Sequence, residues 1–183
     1  GFYLAQTYLQ YYLADVVRSF QALGRTLTEA PFQAVALLGL LISLGAALAS
    51  VPAGRASDRL GRKPLIYLSG AGLGLLMPFL LLFPRYDLLL ALALVFGLFY
   101  GVYLAVDWAL VADVLKDPEA HATDMGLWQT AIVVPQVLAG AFGRPLDLLN
   151  AQTPGLGYQV LYLLAALFFL LGAFGVAGVR RSR

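Results

Sequence analysis

Cysteine is absent from the 183 residues, which excludes disulfides, thiolate metal sites and a cysteine nucleophile. Charge is almost as scarce. Asp, Glu, Lys and Arg make up 12% of the chain and the net charge is +2, so no polybasic face tracks a phosphate backbone and nucleic acid is not expected as a partner. The one histidine, His121, stands among polar residues between apolar runs, which leaves no buried base for an intramembrane hydrolase. No enzyme activity, metal or cofactor is expected. There is also no initiator methionine and no charged leader before the first apolar run, so the chain reads as a fragment or cut product.

What the chain has in excess is hydrocarbon. Hydrophobic residues reach 61% and the mean hydropathy is +0.80, far from the averages of water-soluble domains. A bilayer core about 30 Å thick needs roughly 20 apolar residues per crossing helix. Six runs approach or meet that length, at about residues 1–17, 33–53, 65–83, 88–112, 126–143 and 158–178. The breaks between them are short. The reading is all-α: one polytopic bundle of six transmembrane helices over 1–183, with a charged loop at 54–64, a tail at 179–183 and the lipid bilayer as its surroundings.

Lysine and arginine set the orientation. Arg55, Arg59, Arg62, Lys63, Lys116, Arg180, Arg181 and Arg183 fall on the side of the 54–64 loop, against Arg18, Arg25, Arg85 and Arg144 opposite. That side is expected to be cytoplasmic, and both ends of the chain with it. Small residues recur every four positions, at Gly45 and Ala49, Gly70 and Gly74, Gly97, Gly101 and Ala105, and Ala139 and Gly143. Such stripes let helix backbones approach closely in lipid and name no particular function.

The loop reads GRASDRLGRKP. Pro52 and Gly54 are expected to end one helix, Gly61 to permit a tight path, and Pro64 to start the next. A plain positive-inside loop explains its cations but not Asp58 or the two glycines. Gly54, Asp58, Arg59, Gly61, Arg62 and Lys63 fit G-x-x-x-D-R-x-G-R-K after the second helix, and in this the chain resembles the major facilitator superfamily. The resemblance implies that Asp58 and Arg62 join Asp113, at the end of the fourth helix, in a conformational latch; by residues alone Asp113 is equally a solvated helix end. FYLAQTYLQYYLADVVR, YGVYLAVDWALVADVLKD and DMGLWQTAIVVPQVLAG look like the carboxyl half of sugar-cation symporter branches, sucrose-proton carriers included. Lys116 departs from that pattern, which implies a proline there. The resemblance further implies a small-molecule substrate, an amino-terminal six-helix half outside this sequence, and residence in a plasma membrane, the inner membrane if bacterial.

Several polar groups fall inside apolar runs. An ionised carboxylate at Asp107 is costly among helices unless paired or hydrated, and Tyr100 and Tyr103 share its helix face at i, i+3 and i+7. Proton coupling or substrate contact is one role, an interhelical bond the other. Gln6 and Gln10 share a face with Tyr3, and their amides suit sugar hydroxyls; nearby Tyr11 and Tyr12 fit an interfacial belt. Gln129 and Gln136 lie seven apart beside Pro135, either on a moving, ligand-facing helix or at a static bend. The expected function is a secondary transporter of a sugar-like solute with proton coupling. An exporter of hydrophobic compounds and a nontransporting scaffold are the alternatives.

Overall fold

The computed structural model describes residues 1–114 and 121–176, and within them all side chains except those of 110–114, 121, 122 and 124. Helix α1 (Phe2–Tyr12) continues as a π-helical turn over Leu13–Val17. A short hairpin follows, β1 (Gln21–Ala22) against β2 (Arg25–Thr26), with Gln21 opposite Thr26. Its two-residue turn places both Leu23 and Gly24 at positive φ, as the tightest hairpins require. The remaining elements are α2 (Pro31–Leu60), α3 (Arg62–Leu82), α4 (Tyr86–Val114), α5 (His121–Gly140), α6 (Gly143–Gln152) and α7 (Leu156–Gly175).

Five described stretches are long and apolar enough to cross a membrane: Pro31–Leu60, Arg62–Leu82, Tyr86–Ala109, Met125–Gln152 and Leu156–Gly175. The first expected span, α1 with its π turn, is not among them, so the structure accounts for five of the six by length and composition.

Two expected loops are mostly helix. Pro52 and Gly54 do not end α2, which runs on to Leu60. Thirty residues make a helix about 45 Å long, longer than the hydrocarbon core, so Arg55, Asp58 and Arg59 extend past the lipid where charge costs little. Pro52 removes one backbone hydrogen bond without breaking the rod. The real break is Gly61 alone, at φ 85° and ψ 166°, a conformation open almost only to glycine. Its N–H donates to the Ser57 carbonyl at 3.0 Å. Pro64 then sits in the first turn of α3, where it disrupts nothing. The second correction concerns residues 144–157, where α6 continues nearly to the turn at Gly155.

The bundle is held by α2 against α4, α3 against both α4 and α7, and α7 against α1 and α6. Glycines set these approaches. A Cβ at Gly97 would stand 2.3 Å from the Ile42 carbonyl oxygen, one at Gly101 2.4 Å from that of Ala46, and one at Gly45 2.5 Å from that of Leu94. Gly70 meets the Ala173 methyl and Gly74 meets Leu170 across the α3–α7 seam. Aromatic groups pin the end opposite Gly61: Tyr86 is buried, stacks edge-on against Phe20 at 5.3 Å and donates to the Ala34 carbonyl at 2.9 Å.

Two outcomes follow from this packing. Gly97→Ala or Gly101→Ala forces α2 off α4 and lowers the thermal midpoint in detergent, a loss of about 1–3 kcal/mol if it behaves as ordinary overpacking. Gly39→Ala, where nothing lies within 4 Å, leaves the midpoint unchanged or slightly raised; equal effects at Gly39 and Gly97 would contradict the seam. Gly61→Ala costs about 1–3 kcal/mol through backbone strain, read as a lower melting temperature than the Gly54→Ala control, whose new methyl meets open space.

Candidate functional site

The glycine seam decides which way α4 faces. Gly97 and Gly101 turn one side of α4 to α2, and residues 100, 103 and 107 then fall roughly a fifth to two-fifths of a turn away at about 100° per residue. All three border one cleft of about 440 Å³ that extends from Gly1 and Tyr3 on α1 to Trp128 and Pro135 on α5 and Phe169 on α7. Asp107 is half-buried there, the one carboxylate on its wall among the described residues.

Much of the rest of the wall is aromatic, with Ile66, Leu104, Ile132 and Val176 between the rings. Phe2 stacks on Tyr100 at 4.6 Å with planes 6° apart, and Tyr100 lies over Tyr103 at 6.5 Å. Trp108 and Trp128 meet edge to face at 4.7 Å, joining α4 to α5. Rings in these arrangements are rigid and hold a cavity open without large side-chain entropy. Trp108 remains 55% exposed, so the pair forms a rim rather than part of the core.

Only some of the expected pathway residues come together. Tyr103 and Asp107 share this cleft. Gln6 borders a different, mainly apolar cavity of about 240 Å³ between α1, α2, α3, α4 and α7, while Gln10, Gln129 and Gln136 border neither cavity. All four glutamines are exposed. On α1 they lie opposite the buried Leu4, Tyr8 and Tyr12, and on α5 they stand off the line of Trp128, Ile132 and Pro135 that borders the cleft. The Trp108–Trp128 pair was not anticipated, although a tryptophan directly after Asp107 is a signal of its own.

At the charged turn between α2 and α3, Asp58 and Arg59 are exposed near the end of α2 and Arg62 and Lys63 open α3, half-buried, across the Gly61 break. Asp113 lies on α4, its side chain outside the described residues, as is that of His121; Lys116 and the tail 179–183 lie wholly outside them.

No curated protein and no solved structure matches the chain. The family model of the Major Facilitator Superfamily, however, matches residues 2–182, end to end with the helices described above. That span, together with the apolar helices and the Gly61 break after α2, makes the conclusion plain: the chain belongs to the Major Facilitator Superfamily and is an integral membrane protein of the transporter type.

Proposed function

We propose that this chain forms the carboxyl-terminal half of a secondary transporter that moves a small, sugar-like solute by alternating access, coupled to protons through Asp107. The observation that carries the reading is Asp107 itself, set within an apolar helix and bordering the aromatic cleft. Asp107 lies near the end of the apolar stretch Tyr86–Ala109, where a carboxylate costs less than at the helix centre, but packed among helices it is still retained where it meets water, cargo or a proton. The exposed glutamine faces of α1 and α5 support a partner half across from them, because amides turned to lipid would be left without hydrogen bonds. Substrate then binds between the halves, and their rocking exposes it to each side in turn. In the resting arrangement Asp58, Arg62 and Asp113 hold the cytoplasmic ends of α2, α3 and α4 together, with Gly54, Arg59, Gly61 and Lys63 shaping that corner.

A second reading, export of hydrophobic compounds, is favoured by one observation: the wall around Asp107 is built mainly of aromatic and aliphatic side chains, and the glutamines expected to bind hydroxyls lie outside it. Counterflow in proteoliposomes against sugars and lipophilic drugs, with and without a pH gradient, separates the two.

Asp107→Asn is expected to reduce uphill, pH-driven uptake at least tenfold while leaving exchange within about twofold of wild type. Uphill uptake that survives the substitution would remove Asp107 from the coupling.

A further inference from the structure

At the end of the bundle opposite Gly61 lies a third cavity, of about 580 Å³, within the roughly 300–1,000 Å³ of small-molecule pockets. Its chemistry differs from that of the Asp107 cleft. Tyr12 and Tyr158 are buried at its floor, 5.7 Å apart and edge to face. Asp15, Arg18 and Gln159 are exposed around them, and Asn150 is half-buried between.

These groups are held in place by bonds local to the cavity. Within the π-helical turn, Leu13 and Val17 stay in the core while Asp15 reaches the rim; such turns recur at functional positions. The Asp15 carboxylate accepts a hydrogen bond from the Tyr158 hydroxyl. Arg18 closes the turn in a left-handed conformation at φ 58°, and its Nε donates to the Asp15 carbonyl at 2.7 Å. The Asn150 Oδ1 accepts the Gly157 N–H at 2.9 Å. Gly157 packs so closely on α6 that a Cβ there would stand 2.5 Å from the Leu146 carbonyl oxygen, so Asn150 and Tyr158 are fixed relative to each other.

We infer that this cavity is a recognition site for a neutral, polyhydroxylated solute, separate from the cleft at Asp107. With its oxygen committed to Gly157, Asn150 offers its NH2 donors, and Asp15 keeps acceptor capacity beyond the Tyr158 bond. Fixed donors and acceptors around one cavity match a solute's hydroxyls, each of which can both give and take a hydrogen bond. Tyr12 and Tyr158, buried and packed on each other, give the polar rim a rigid base. One carboxylate and one guanidinium leave the site without net charge, which favours a neutral ligand over an anion or a cation. The inference rests on the sugar-like reading of the cargo, and it places first contact with that cargo at this end of the bundle.

The absence of cysteine from the sequence makes a direct test possible. Gln159→Cys puts a single thiol at the rim, and its reaction with a charged, membrane-impermeant methanethiosulfonate is followed in proteoliposomes with sucrose, maltose or lactose, or with glycine betaine as an osmolyte without hydroxyls. At least one disaccharide is expected to slow labelling fivefold or more while betaine does not, and Asp15→Asn or Asn150→Ala in the same background should abolish that protection, read in each variant as the ratio of its labelling rates with and without sugar. Labelling that no disaccharide slows overturns the site. Disaccharide counterflow in the same vesicles separates the two claims: counterflow without protection removes this site and keeps the sugar reading, whereas protection without counterflow keeps the site and removes the transport reading.

Discussion

Close approach of α2 to α4 is the constraint from which the rest of the arrangement follows. In lipid no hydrophobic force drives helices together, and contact between them depends on dispersion and on how near two backbones can come. Gly45, Gly97 and Gly101 remove the side chains that would hold those backbones apart, and the carbonyls of Ile42, Ala46 and Leu94 occupy the space. Once that seam is formed, the rotation of α4 is fixed. The face carrying Tyr100, Tyr103 and Asp107 has to border α1, α5 and α7, which is where the cleft lies. Packing therefore positions the acid, and no hydrogen bond to Asp107 is needed to explain its placement.

A second seam performs the same service for α3 and α7. Gly70 and Gly74 admit Ala173 and Leu170, which brings the start of α7 against α6 and the π-helical end of α1. The two ends of the bundle thereby acquire different surfaces. Near Asp107 the walls are mainly aromatic and aliphatic, whereas near Asp15 they carry amides, phenols and one charge of each sign. A solute crossing such a unit meets hydrogen-bonding groups at one end and an aromatic cleft holding a carboxylate at the other.

Apolar length, the charge bias and the small-residue stripes were readable from residue order because each is a local property of one helix. Breaks were less so. Pro52 and Gly54 carry the usual signs of a helix end, yet α2 passes through them, since beyond the hydrocarbon only backbone conformation decides where a helix stops, and Gly61 is the residue that leaves the helical region. Residues 144–157 misled in the same way, because polar composition does not distinguish a solvated helix from a loop. The glutamines illustrate another limit. Gln6 and Gln10 share a face of α1 as their spacing requires, but spacing cannot say which helix that face meets. The bond from Tyr158 to Asp15 joins residues far apart in sequence, and no local pattern announces it.

The sequence holds two tryptophans, and both stand at the Asp107 cleft, so the fluorescence of this chain reports on it without any substitution within these 183 residues. The most direct measurement is quenching of that emission in the reconstituted protein by aqueous acrylamide and, separately, by lipids brominated along the acyl chain. A cleft that serves as a water-filled path for cargo requires strong acrylamide quenching, weak quenching by bromolipid, and a loss of acrylamide access when cargo is bound. Strong bromolipid quenching with acrylamide excluded would mean that Trp108 and Trp128 face hydrocarbon, and would contradict the account.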